Sequence, residues 1–518
     1  MIQTLAPSNF SYALPVRAQD ENPPCPPTPP EPEPPAPPQP KDTVFSFNPQ
    51  DPAVFAPTST TVKNVLVGES GPEVDRAKLN GGLTANEEGG FHFPTCDHRH
   101  HAAVTFSGVA KTVEIFEQAT GQPIAWAFGD HKLEVNADGG DMINAYYARD
   151  ERSVNFFHHH DAVLGRDVYS GDSGEVVAHE VGHAILDGLR PDYFDAWAPD
   201  VGAFHESFGD KLAMLFALKD ERTRSRVLIE TGGDLSKKNI MSALGEELGI
   251  AINDETKKNR TGGNWTRNAV NSFTWKDPAE LPFNPPNPDE LGSEVHNFSR
   301  LWSGAFYDIL NGINERNKAA GLTTAEALAK TADDGLKVLA NLMAEAPRGE
   351  FTFRDMANAF VSSDRNLNNG EYADLIQEVM VKREILVAEP PPPPPPPEEP
   401  PSDPPTDPNP PTKSLLGEDE GPVRNLRLTL SGNDFGMFQG AELKIPVDSR
   451  ESLGKDVSLR QRTENNLKRY IAEGRIRYNE PNYVMKPADR FDKDGRPYIG
   501  IVTWEDGKMK IERNKVAV

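Results

Sequence analysis

The hydrophobic positions of this 518-residue chain change period part-way along it. Up to about residue 145 short stretches alternate, as at Thr61-Val62-Lys63-Asn64-Val65-Leu66-Val67 and Lys132-Leu133-Glu134-Val135, with Phe91-His92-Phe93 between them and Gly-Gly pairs at 81–82, 89–90 and 139–140 as turns. One helix is expected among these strands, over 102–120, with Val104, Val109, Val113, Ile115 and Phe116 on one side and Gly121 as its stop. Two apolar strands follow at 142–148 and 153–157. From residue 207 the period is helical, with helices expected over 207–218, 297–313, 323–344, 351–360 and 371–383, the third opened by a Thr-x-x-Glu-like start. The stretch from Val227 reads as irregular. After a break, 460–473 reads as a helix closed by Gly474. Strands are expected there at 475–478, 483–486, 498–504 and 508–513, the last two joined by Asp506-Gly507, a primed hairpin turn.

The pattern predicts an α+β chain with a strand-rich lobe at about 41–178, a helical lobe at about 179–388, and a small α+β accessory domain at 414–518. Composition sets the boundaries. The 48 prolines are concentrated in 1–40, expected as a disordered tail, and in 389–413, expected as a polyproline linker; docking of these runs to proline-recognising partner modules is the other reading. A net charge of −25 argues against nucleic acid as a partner. Two cysteines, Cys25 and Cys96, make no disulfide framework. No run of about 18 apolar residues predicts a membrane span. The first residues lack the basic head and apolar core of a secretory signal, which leaves location open between the cytoplasm and a non-classical export route.

Candidate chemistry centres on Val176-Val177-Ala178-His179-Glu180-Val181-Gly182-His183. On a helix His179 and His183 share a face one turn apart, and Glu180 points about 100° away. A hydrolytic zinc takes three protein ligands and keeps a fourth position for water. Glu206, 23 residues beyond His183 in Gly202-Ala203-Phe204-His205-Glu206-Ser207-Phe208-Gly209-Asp210, is the leading third ligand. The other histidine groups, His98, His100 and His101, and His158-His159-His160, read as capping or solvated side chains, with a metal role as the alternative; the side chains of an extended triple run alternate faces and do not all reach one ion.

In these segments the sequence resembles the thermolysin-like gluzincin metallopeptidases. VVAHEVGHAILD is similar to that family's active-site helix and GAFHESFGD to its third-ligand helix. The resemblance implies that Asp210 orients His179. INAYYA resembles the family's edge strand, implying that Asn144 and Ala145 bind substrate backbone. Glu294-Val295-His296-Asn297-Phe298-Ser299 resembles the segment holding the transition-state histidine, which makes His296 the implied oxyanion donor. Arg267 is the implied grip on a substrate carbonyl, and Tyr193 a candidate second oxyanion donor. The acid that usually orients the histidine is replaced by Leu291, leaving Glu294, Glu290 or Asp289 for that part. Ala217 and Ser225 stand at the usual calcium-binding positions, so Ca2+ lacks its usual ligands.

The expectation is therefore a two-lobed zinc metalloendopeptidase, with 41–388 as catalytic domain. It would cleave a peptide or protein substrate through a zinc-activated water, with Glu180 as general base. An apolar residue on the leaving-group side is implied by the resemblance alone. The alternatives are a non-catalytic scaffold or binding protein that keeps the fold, and a zinc hydrolase of non-peptide amides.

Overall fold

The computed structural model describes residues 39–68, 71–259, 261–388, 423–450, 455–493 and 495–517. Almost all of the expected proline-rich tail, and the whole of the expected linker, lie outside them.

The alternating N-terminal third forms most of one mixed sheet. Strands β1 (Lys41–Phe47), β2 (Thr58–Gly68), β3 (Gly71–Glu73), β4 (Ala77–Leu79), β5 (Leu133–Asn136), β6 (Ala145–Ala148) and β7 (Ser153–Phe156) lie in the order β1-β2-β3-β4-β5-β7-β6. The β4–β5 and β5–β7 pairs are parallel and the others antiparallel. Helix α1 (His100–Thr120) packs on this sheet through Phe106, Val109 and Val113 and ends where Gly121 takes a left-handed φ of 68°. A hairpin of β8 (His158–Asp161) and β9 (Arg166–Tyr169) follows. The rings of His158, His159 and His160 each bond a different carboxylate, Asp138, Asp141 and Asp167, at 2.7 to 2.9 Å, so the triple run does not converge on one point.

The helical part begins with α2 (Gly174–Leu189) and α3 (Pro199–Lys219), both buried over most of their length. Around them stand α4 (Glu221–Thr231), α5 (Glu246–Thr256), α6 (Val295–Ala319), α7 (Thr324–Glu345), α8 (Phe353–Leu367) and α9 (Ala373–Lys382). The Thr323 side chain and Glu326 form a reciprocal cap on α7, as the Thr-x-x-Glu pattern predicts. The stretch expected as irregular from Val227 opens inside helix α4, and the chain is irregular only after Thr231. Asp220 caps α4 by accepting from Arg222 N and Thr223 N, and its weak pattern reflects that it buries only Thr223, Val227 and Thr231. Between α4 and α6, β10 (Ala243–Leu244) pairs antiparallel with β11 (Arg267–Asn268).

The C-terminal residues build a second sheet, with β12 (Val423–Thr429), β13 (Glu442–Asp448), β14 (Ile476–Arg477), β15 (Gly500–Glu505) and β16 (Lys508–Arg513) in the order β12-β13-β16-β15-β14, and helix α10 (Lys455–Ala472) beside them. Its core of Leu443, Ile445, Leu467, Val502 and Ile511 includes Trp197 from the loop before α3, whose Nε1 donates to Lys444 O at 3.0 Å. The expected strand at 483–486 does not form; Val484 is 82% exposed and nothing pairs with it. The last strand, β17 (Val516–Ala517), leaves this sheet and joins the first, antiparallel to β6, with Val516 opposite Ala148 and Ala517 opposite Tyr147. The described residues from Pro40 onward thus form one compact unit.

Candidate metal centre

Helix α2 is fixed at both ends. The Ser173 side chain caps its first turn, and at the last turn Asp187, fully buried, accepts from Tyr147 Oη at 2.7 Å and from Arg149 Nε at 2.8 Å. Its apolar residues Val177, Ala178, Val181, Ala184 and Ile185 are all buried, which sets its rotation. The helix meets α3 where two glycines face each other: a Cβ on Gly182 would stand 3.0 Å from Gly209 Cα. That close approach brings Glu206 and Asp210, one turn apart on α3, within reach of His179.

The side chains converge tightly. His179 Nε2 and His183 Nε2 are 3.0 Å apart, and Glu206 Oε2 lies 3.5 Å from the first and 3.8 Å from the second. Donor atoms of His179, Glu180 and His183 lie within 4.8 Å of one another, close enough to hold a metal ion. Glu206 Oε2 and Glu180 Oε2 are both buried without a hydrogen-bond partner among the described residues. Burial pushes the Glu180 carboxyl up to about 8, with His179 opposing the shift and Glu206 adding to it. At His179 burial disfavours charge, but Asp210 and Glu206 outweigh it and lift the ring to about 9.

Asp210 is the hub behind His179. Its fully buried carboxylate lies 3.1 Å from His179 Nδ1 and accepts from Arg267 Nε at 3.0 Å, Arg267 Nη2 at 2.9 Å and Ser303 Oγ at 2.8 Å. Gly209 is what lets the ring lie there. A Cβ at this position would fall 2.6 Å from His179 Nδ1, so Gly209→Ala should displace the imidazole and weaken the binding of a metal ion at this group about 10–100-fold, as other changes behind a ligand do. A competition titration with a chelator reads this directly, and an unchanged affinity would mean that the ring has slack the packing does not show.

The remaining expected residues fall into three groups. His296, on the first turn of α6, places Nε2 3.4 Å from Glu206 Oε2, and its Nδ1 bonds Glu294 Oε1 at 2.7 Å, so among the three candidate acids Glu294 takes the place left by Leu291. Desolvation opposes its charge, but Glu206 and Glu294 raise the ring to about 10 and make it an imidazolium at neutral pH. Asn144, Ala145 and Arg267 line the same cavity, of about 260 Å3, as His179, Glu180 and His296. Two of these are already engaged: Arg267 by Asp210, and Asn144 through Nδ2 to Gly495 O at 3.3 Å.

Tyr193 is not brought to the site. The chain leaves α2 at Arg190 and turns through 191–195. This tucks the Tyr193 ring against Phe204 and Phe351, and its hydroxyl donates to Pro347 O at 2.7 Å. No family model matches the chain. No curated protein matches it either.

Two neighbours of the centre carry no motif signal. His205 Nδ1 lies 2.8 Å from His183 Nδ1, and burial holds its ring down at about 3, so it is neutral. A His183 that offers Nε2 to a metal donates from Nδ1, and His205 is the acceptor that fixes this tautomer. Its adjacency to Glu206 was the available hint. Lys211, fully buried, donates to Ser207 Oγ at 2.9 Å and lies over the rings of Phe204 and Trp302; burial drives its ammonium well below the usual lysine range.

Proposed function

We propose that the chain is a zinc metalloendopeptidase whose strand-rich and helical lobes meet at α2, with His179, His183 and Glu206 as metal ligands. The donor set carries this reading. A tetrahedral zinc with ligand bonds of 2.0–2.1 Å keeps its ligand atoms about 3.3 Å apart, and the separations here are 3.0, 3.5 and 3.8 Å. The buried oxygen of Glu206 that lacks a hydrogen bond is accounted for as the third ligand atom. Zinc, when bound, supplies Lewis acidity and lowers the pKa of water toward neutrality.

The chain's own groups supply the rest. Glu180, adjacent to the first ligand and with a free carboxylate oxygen, takes the proton of the attacking water and hands it to the leaving amine. As an imidazolium, His296 donates from Nε2 to the carbonyl oxygen as charge develops there, and Glu294 orients the ring by accepting from Nδ1. Arg267 keeps Asp210 charged and so keeps His179 oriented, while the edge of β6 at Ala145, which lines the cavity, offers backbone groups to an extended peptide. Because β17 already pairs with Tyr147 and Ala148, a substrate strand has only the Asn144 end of this edge.

The test is a stoichiometric zinc content in the purified full-length protein together with cleavage of a denatured protein. Bound zinc with no cleavage sinks the reading. Replacing His296 by Ala should lower kcat by about 100–1,000-fold with little change in KM, because its contact forms only in the transition state. A rise in KM alone would assign it to ground-state binding instead.

A further inference from the structure

The cavity beside the metal centre has two kinds of wall. Val176, Ala213, Leu244, Leu248 and Ile252 make it apolar, and Glu175 puts a carboxyl among them. Glu175 stands four residues before His179 on α2. The two therefore share a face about one turn apart, about 6 Å along the axis, which makes the cavity the place for a side chain flanking the scissile bond.

Glu175 is 1% exposed, its Oε2 accepts from Gly245 N at 3.3 Å, and its Oε1 has no hydrogen-bond partner among the described residues. Two further carboxyls act on it and are as poorly matched. Asp51, fully buried, accepts at Oδ1 from Ala53 N and Glu247 N and leaves Oδ2 unpartnered, and Glu246 has a buried, unpartnered Oε2. The nearby Arg166 pairs with Glu247, not with any of these three carboxyls. Burial first and neighbouring carboxylates second push all three carboxyls up: Glu247 acts on Asp51, which rises to about 7, Asp51 on Glu246, which rises to about 9, and Glu246 and Asp51 on Glu175. A buried acid without a counter-charge is destabilising, and a cation brought to it removes that cost.

We propose that the cavity is a subsite for a cationic substrate side chain, lysine or arginine, whose aliphatic stem lies along the apolar walls while its head group reaches the unpartnered oxygen of Glu175. This rests on the peptidase reading and narrows it, since an apolar pocket alone would select an apolar residue. Amphipathic side chains suit such a pocket, with a long stem and a charged tip.

Two peptides that differ only by lysine or norleucine at one position, scanned across the cleavage site, test it. The zinc-loaded protein should cleave the lysine peptide about 10–100-fold more efficiently at one flanking position, as expected for a hydrogen bond to a charged group. Glu175→Gln should remove most of that ratio. Calorimetric binding of the same pair to the Glu180→Gln protein reads the subsite without turnover and should show the same preference. Cleavage with no lysine preference, or a ratio unchanged in Glu175→Gln, overturns the subsite and leaves the peptidase standing. Lysine-selective binding without cleavage by the wild type sinks the peptidase and leaves the subsite. A calcium titration that stabilises the wild type but not Glu175→Gln would assign the carboxyls to a metal and overturn it too.

Discussion

Glu180→Gln should leave zinc bound at one equivalent and lower hydrolysis of a denatured protein by about 100–10,000-fold, the range in which a positioned general base contributes. The substitution keeps the volume and the helix, so the packing of α2 is untouched. What it removes is the proton acceptor. The Glu180 carboxylate is buried, adjacent in sequence to the first metal ligand, and has one oxygen with no hydrogen-bond partner among the described residues. An amide of the same shape still bonds but does not accept the proton. Metal analysis and turnover measured on one preparation decide it: zinc retained with activity near wild type would remove Glu180 from the chemistry.

Asp210→Ala should be the most damaging single change outside the ligands. Four donor atoms from three residues converge on this buried carboxylate: Arg267 Nε and Nη2, Ser303 Oγ and the His179 ring. Removing it leaves the Arg267 guanidinium without its counter-charge, which costs about 3–5 kcal/mol when the partner is buried. It also frees the tautomer and tilt of His179, worth about 10–100-fold in metal affinity. Denaturant unfolding and chelator competition measure the two losses separately. Burial alone would raise the Asp210 pKa, but Arg267 and His179 hold it well below the usual carboxylate range. The sign for stability follows: the contribution is full above the unfolded value of about 3.9 and is lost as pH falls from there toward the folded value. Asp210→Asn should therefore flatten the acid side of the stability profile. A variant as stable and as tight for zinc as the wild type would show that Arg267 and His179 find other partners.

Much of the site was legible because its spacing is local. His179, Glu180 and His183 lie within five residues of one helix, and Glu206 and Asp210 lie one turn apart on the next, so the 3.6-residue period alone sets which atoms share a face. Glu294 was legible only as one of three candidates, because the choice depends on how the loop before α6 turns and which carboxyl then caps it. Tyr193 was misplaced for the same kind of reason. Its distance from His183 along the chain says nothing about the turn at 191–195 that buries it. In the fold, α7 and its reciprocal cap followed from pattern, whereas polar α4 did not, since it buries only Thr223, Val227 and Thr231 and so leaves almost no apolar period.

By itself, then, the sequence determined the helix pair, the change from strands to helices around it, and the placing of His179, Glu180 and His183 together on one helix. These follow from side-chain periodicity, which is set by backbone geometry within a few residues. Tertiary structure alone decided that His205 backs His183, that Glu175 with Asp51 and Glu246 sits unpaired beside the cavity, and that β17 returns to β6. Each of these joins segments between 22 and more than 300 residues apart, and such contacts depend on packing and burial, which no local period encodes.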